Sequence, residues 1–185
     1  MIFIALRLPG AHVIEMEPHE DERGFFARNW SRRAFEERGL NPHIEECSVS
    51  FNSRRGTLRG MHYQATPDEE AKLVRCTRGA IYDVIVDLRP SAPTYTRWEA
   101  VELTAANHRA LYVPEGVAHG FLTLADDTEV CYMISAAYRP EAGRGVRWND
   151  PAFGIVWPEP VQLMSARDAS FPDFEPARVV DSMGR

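Results

Sequence analysis

The sequence predicts an all-β fold, a double-sheet jelly roll (a double-stranded β-helix) with one or a few short helices. Three observations predict it. Short runs rich in Val, Ile, Thr, Phe, Tyr and Trp recur along the 185 residues, and Gly, Pro, Asn or Asp punctuates them at short intervals. Helix signals are confined to one brief stretch and the Pro-rich tail. Several runs also carry ionisable residues, which fits a barrel whose interior includes a ligand cavity.

In chain order, strands are expected at 13–16 and 25–30, an apolar pair and an aromatic run, and at 44–52, where polar and apolar residues alternate. They follow at 57–63, 72–77 and 80–88, the last a buried-looking strand whose Asp83 and Asp87 flank apolar positions and need partners. Further strands are expected at 98–103, 110–113, 120–123, 129–134 and 146–148. The helix is expected at 31–38, with Ser31 capping its start and Gly39 ending it in the left-handed conformation. The Pro-rich tail after Trp157 reads as loops and a short helix over the barrel. No linker, low-complexity segment or internal repeat interrupts the chain, so residues 1–185 read as one domain.

The net charge of −6 argues against general nucleic-acid binding, which needs a basic footprint. It leaves room for a small anionic ligand, because a few arginines in a pocket set the local potential. No apolar run reaches the length of a membrane-spanning helix, and residues 1–9 do not read as a signal peptide. The chain is therefore expected to have no membrane partner. Cys47, Cys76 and Cys131 stand singly in separate strands. An odd, scattered set fits neither a disulfide framework nor a cysteine-based zinc site, and it points to a reducing cytoplasm.

The most informative stretch is Gly56-Thr57-Leu58-Arg59-Gly60-Met61-His62-Tyr63-Gln64, followed by Lys72-Leu73-Val74. A turn leads into a strand bearing a cation, a potential base and an amide, and a lone lysine opens the next run. Alternation puts His62 and Gln64 on one face and Met61 and Tyr63 on the other. A base and cations inside a β-structure suit chemistry on an anionic, carbonyl-bearing substrate. A single strand histidine is more often structural than catalytic, and only this context reverses that for His62. His119, after the Pro114-Glu115-Gly116 turn, is as well explained by a backbone bond. Tyr132 on its own reads as a core tyrosine. His12, His43 and His108 sit in polar or turn contexts and read as surface residues.

The 112–121 segment resembles the second motif of the cupin superfamily, and 56–79 a degenerate first motif. Where metal-binding cupins carry a second histidine, this chain has Gln64, a poor ligand for a transition metal, and Lys72 adds a positive charge beside it. A closer resemblance spans nearly the whole chain, to the nucleotide-sugar epimerases of the dTDP-4-dehydrorhamnose 3,5-epimerase family. It rests on Asp21-Glu22-Arg23-Gly24-Phe25-Phe26, Arg59-Gly60-Met61-His62-Tyr63-Gln64, Lys72-Leu73-Val74 and Asp83-Val84-Ile85-Val86-Asp87-Leu88-Arg89. It continues through His119-Gly120-Phe121, Tyr132, Trp148-Asn149-Asp150-Pro151, Trp157-Pro158 and Ser165-Ala166-Arg167-Asp168.

The resemblance implies a metal-free, cofactor-free reaction on a nucleoside-diphosphate 4-keto-6-deoxyhexose, whose carbons 3 and 5 bear protons acidified by the ketone. It implies His62 as general base and Asp168 as its orienting carboxylate, with Asp83 as the rival for that place. Lys72 is implied beside the ketone oxygen, Tyr132 as the acid on the opposite face, and His119 as a contact to the ketone or a support for Lys72. Arg23 and Arg59 are implied at the diphosphate. Phe26, Arg28, Glu46, Ser48, Tyr138 and Arg167 complete the expected substrate contacts. The family is homodimeric, with an N-terminal segment crossing to the partner, so Phe26 is expected to line the other subunit's site.

Two positions depart from the family pattern. Arg28 stands where a Glu is usual, and Glu46 stands where the preceding strand usually carries an amide; the two exchanges compensate if the side chains meet. For that strand, the register with Glu46, Ser48, Ser50 and Asn52 inward, and Cys47, Val49 and Phe51 against the core, is expected. The nucleotide, the sugar and the number of inverted centres stay open. The alternatives are a metal-dependent cupin enzyme, such as a dioxygenase or isomerase, and a non-catalytic sugar-binding cupin.

Overall fold

The computed structural model describes residues 1–176, so the end of the Pro-rich tail, 177–185, lies outside the described residues. The strands are β1 (Ile2–Ala5), β2 (His12–Glu15), β3 (His19–Asp21), β4 (Gly24–Phe26), β5 (Glu46–Asn52), β6 (Leu58–Gln64) and β7 (Lys72–Arg78). They continue as β8 (Ala80–Asp87), β9 (Trp98–Thr104), β10 (Ala110–Val113), β11 (Val117–Thr123), β12 (Thr128–Ile134) and β13 (Gly143–Gly145). Two short helices, α1 (Arg32–Glu36) and α2 (Ala166–Ala169), complete the set. One sheet runs β1-β2-β10-β7-β12-β5 and the other β13-β6-β11-β8-β9, while β3 and β4 form a separate hairpin.

The space between the two sheets is divided. One part is an apolar core, where Val74, Cys76 and Val130 of the first sheet meet Ile81, Ile85, Leu103 and Phe121 of the second. The other part is an open cavity bounded by β5, β6, β7, β11 and β12. Outside the first sheet, Phe35 of α1 and Leu40 pack on Ile14, Leu73 and Tyr112. Outside the second, Phe153 packs with Met61, Val84 and Val86.

The long, β-branched strands lie where their sequences predict, and the differences concern short or exposed elements. The run expected at 25–30 is a strand only at Gly24–Phe26, because the strand it pairs with, β3, is three residues long. The strand expected at 120–123 starts at Val117, drawn out by its ladder to β8. The one expected at 146–148 is instead Gly143–Gly145, pairing with β6. Ser31 makes no side-chain cap on α1, whereas Gly39 does adopt the left-handed conformation at φ +65°.

Strand β5 corrects half of its expected register. Glu46, Ser48 and Ser50 line the cavity and Asn52 is buried, but Val49 and Phe51 are 62% and 51% exposed rather than packed on the core. The reason is position: β5 is the edge of its sheet, and among the described residues no helix or loop buries its outer face. Arg28 is exposed, and among the described residues no ion pair joins it to Glu46, so the compensation between them does not occur within one chain.

Strict alternation would send Arg59 and His62 to opposite faces of β6, yet both line the cavity. Their pairing with β11 explains this. His119 lies opposite His62 and Phe121 opposite Arg59, so three steps on β6 answer two on β11. This β-bulge re-aims the strand. It depends on Gly60, at φ +138°, lying against Gly120: a Cβ on Gly120 would sit 2.8 Å from the Arg59 carbonyl oxygen and 2.9 Å from Gly60 Cα. Gly120→Ala is therefore expected to lower stability by roughly 2 kcal/mol or more. A fall in the urea midpoint with an unchanged m-value would show it, and an unaltered midpoint would refute the close-approach argument.

Candidate active site

The cavity has a volume of about 660 Å³. Its floor is the bulged strand β6, which turns Met61 into the outer apolar cluster and His62 and Gln64 into the cavity. His62 Nε2 lies 2.8 Å from Asp168 Oδ1. Asp168 is delivered by α2, where Ser165 Oγ accepts from the Asp168 N–H at 3.0 Å. Its second oxygen accepts from the Gly60 N–H at 3.3 Å, so the carboxylate is anchored to the bulge itself. With Nε2 committed, the other ring nitrogen of His62 is the one free to take a proton. Burial pushes the Asp168 carboxyl up, but the His62 hydrogen bond and charge, helped by the Gly60 N–H, more than offset this and hold it below its ordinary value.

Of the two candidate partners of His62, then, Asp168 makes the contact. Asp83 instead bonds His119 Nε2 at 2.5 Å, forming a second, fully enclosed His–carboxylate pair one strand away. Burial drives the Asp83 carboxyl up, against the pull of His119 and Lys72, and its Oδ2 has no hydrogen-bond partner among the described residues.

Tyr132 projects from β12, on the sheet facing β6, with its ring 6.1 Å from that of His119. Burial, with the nearby Asp83, pushes its phenol well up, so Tyr132 keeps its proton at neutral pH. Its hydroxyl makes no hydrogen bond to protein among the described residues, which is not how a packed core tyrosine is satisfied. Lys72, the first residue of β7, directs Nζ to Glu70 Oε1 at 2.9 Å and to the His62 carbonyl oxygen at 3.3 Å.

Toward one end of the cavity, Arg59 is steadied by Asn52 Oδ1 at 2.7 Å. At the other end stand Glu46, which accepts from the Tyr138 N–H at 3.3 Å, and the side chains of Tyr138, Arg144 and Arg167. Ser48 lies between them. Arg23, Phe26 and Arg28 are not brought to the cavity. They lie on or just after the exposed β3–β4 hairpin, where Arg23 pairs with Asp21.

Sequence reasoning missed Glu70, Arg144 and what Gln64 does. Gln64 donates from Nε2 to the carbonyls of Asp68 (3.0 Å) and Ala137 (3.2 Å), and its Oε1 accepts from the Arg139 N–H at 2.6 Å. One buried amide thus ties together the two loops that carry Glu70 and Tyr138. Among the described residues no three His, Cys, Asp or Glu side chains converge as a metal site. No helix in the structure is long and apolar enough to cross a membrane.

The model of the family described as dTDP-4-dehydrorhamnose 3,5-epimerase matches residues 5–176. The chain belongs to the dTDP-4-dehydrorhamnose 3,5-epimerase family. A relative of that name from Sinorhizobium fredii is 39% identical over 173 residues, 93% of this chain and 89% of the relative. The crystal structure of the enzyme of that name from Elizabethkingia anophelis superposes with a TM-score of 0.91 at 36% identity, covering 94% of this chain and 96% of that one. ChmJ, a 3'-monoepimerase from Streptomyces bikiniensis in complex with dTDP-quinovose, superposes at 0.84 with 36% identity, covering 91% and 85%. The epimerase family therefore stands in place of the metal-dependent and sugar-binding alternatives. His62, Lys72, His119, Tyr132 and Asp168 all line one cavity, and Gly60 lies in the bulge beneath it.

Because the folded Asp168 value lies below the unfolded one, its contribution to stability is full above the ordinary carboxylate range, around pH 4. It is lost as pH falls through the folded value. Asp168→Asn is thus expected to be less stable than wild type at pH 7, with the two converging under acid. Urea midpoints of both proteins from pH 7 to pH 3 check this, and a gap that stays constant would contradict it.

Proposed function

We propose that the chain inverts carbon 3, carbon 5 or both of a nucleoside-diphosphate 4-keto-6-deoxyhexose through an enolate, in deoxysugar biosynthesis. The observation that carries the reading is the placement of His62, backed by Asp168, and Tyr132 on facing sheets, with Lys72 in the same cavity. The free nitrogen of His62 takes the proton from the carbon beside the ketone. The C–H electron pair moves into the carbon–carbon bond, and the carbonyl pair moves onto oxygen, where the Lys72 ammonium stabilises the charge. As the carbonyl re-forms, the carbon–carbon pair takes a proton from Tyr132 on the other face, which inverts the carbon. Solvent then reprotonates the phenolate and takes the proton held by the His62 imidazolium. Asp168 stabilises the imidazolium formed meanwhile. His119, its Nε2 held by Asp83, offers its other nitrogen to the ketone or its neighbours.

Arg59 takes the diphosphate with Arg23, and dTDP is the nucleotide expected from the relatives. Glu46, Ser48, Tyr138 and Arg167 contact the rest of the substrate. The working form is a homodimer of this single catalytic domain in the cytoplasm, in which Arg23, Phe26 and Arg28 reach a second subunit's cavity. Its support is an outer face that one chain leaves open. Val49 and Phe51 are exposed on edge strand β5, Phe26 is 74% exposed on the hairpin, and the Arg75 Nη2, on the same outer face as Val49, is buried with no partner among the described residues. Sedimentation at micromolar concentration should give a dimer, and a monomer there would remove this part of the reading.

The main test is solvent-deuterium incorporation, read by NMR, with dTDP-, CDP- and GDP-linked 4-keto sugars. His62→Asn is expected to lose exchange by ~100-fold or more with its fold intact, and Tyr132→Phe to keep exchange while losing net inversion. Full exchange in the first, or unimpaired epimerisation in the second, would remove that residue's role. No exchange by the wild type with any of the three would remove the proposed reaction.

A further inference from the structure

Glu70 lies in the loop before β7, nearly buried at 9% side-chain exposure, and it lines the cavity. Neither the sequence motifs nor the proton transfers proposed above use it. We propose that Glu70 is the positioning residue for Lys72, holding the ammonium where charge develops on the ketone oxygen; this rests on the epimerase reading. Three observations point to it. Lys72 carries four rotatable bonds and is itself only 10% exposed, so an aimed geometry needs an anchor. Its two contacts are a 2.9 Å bond to Glu70 and a weaker 3.3 Å bond to the His62 carbonyl, so Glu70 is the stronger restraint. Glu70 is itself fixed on both sides. Gln64 holds the Asp68 carbonyl two residues before it, and Ser135 Oγ accepts from the Ala71 N–H at 2.8 Å just after it.

The other charged groups around Lys72 leave this part to Glu70. Asp83 interacts with Lys72 but is bonded to His119, Asp168 is bonded to His62, and Glu46 faces the Tyr138 amide. Tyr132 keeps its proton, and Arg59, Arg144 and Arg167 are cations. Among the described residues only Glu70 offers Lys72 a carboxylate at bonding distance.

A residue that acts through Lys72 has a recognisable kinetic signature. Glu70→Ala should lower kcat roughly 10- to 100-fold, the worth of one charge-assisted bond, with KM changed less than about threefold. Glu70→Gln, which keeps an oxygen in place, should recover part of that loss. In a Lys72→Met background, Glu70→Ala should cause no further fall, because the two residues form one unit. Equal losses in both backgrounds, or an unchanged or raised kcat in Glu70→Ala, would overturn the proposal. The pairing is also measurable without substrate, by NMR of 15N-labelled lysine. The Lys72 ammonium should give a slowly exchanging signal in the wild type that Glu70→Ala abolishes. If the wild type shows no epimerisation but this signal behaves as stated, the reaction assignment fails and the pairing stands. If the signal is absent from the wild type, the pairing itself fails.

Discussion

The contact between Gly60 and Gly120 is the constraint on which the rest of the site depends. Two backbones approach more closely there than any side chain permits, and the extra residue on β6 is taken up in the same place. Three consequences follow from this one local geometry. Arg59 and His62 enter the same cavity despite their odd spacing. His62 and His119 become direct cross-strand neighbours. The Gly60 N–H is aimed at Asp168, so the carboxylate that orients His62 is registered to the strand carrying it. A regular β6 would keep the sheet and lose the constellation, which is why a bulge beside a site is better regarded as a device than as a defect.

Two His–carboxylate pairs lie side by side and differ in surroundings rather than in chemistry. His62 keeps 37% of its side chain exposed to the cavity, and its carboxylate is held low by several donors. His119 is 5% exposed, and its carboxylate is driven up by burial with one oxygen unpaired. Equal residues in unequal environments take unequal tasks. The open pair suits a group that must exchange protons with a substrate. The enclosed pair suits a fixed donor and a wall for the Lys72 side of the pocket.

Most of the fold was legible because the inner strands carry it. Runs such as 80–87 and 110–113 are largely buried on both faces, and their apolar residues, bounded by turn signals, mark them as strands. The elements that escaped, β1, β3 and β13, are short, exposed or made of glycine and arginine, and partners elsewhere in the chain define them. The residues that gather in the cavity were legible through motif resemblance, which favoured Asp168 over Asp83 as the partner of His62 without deciding between them. Only the tertiary course of α2 decides it. The outward apolar face of β5 was misassigned for a related reason: alternation separates two faces without saying what covers either. Glu70 gave no signal at all, since a carboxylate in a polar loop looks solvated until the loop is folded inward.

Gln64 shows why this barrel can manage without the side chain that a metal-binding cupin places there. Its amide makes three bonds to backbone groups of two different loops, donating twice and accepting once. An imidazole has two ring nitrogens and cannot reproduce that set, and one bound to a metal has a single nitrogen left. The loops concerned carry Glu70 and Tyr138, and the Arg139–Asp68 pair at 2.7 Å links them a second time. A histidine at this position would therefore add a ligand at the cost of the restraint that aims Glu70, and through it Lys72. Holding metal and holding these loops are competing uses of one strand position. In this chain the position serves the second.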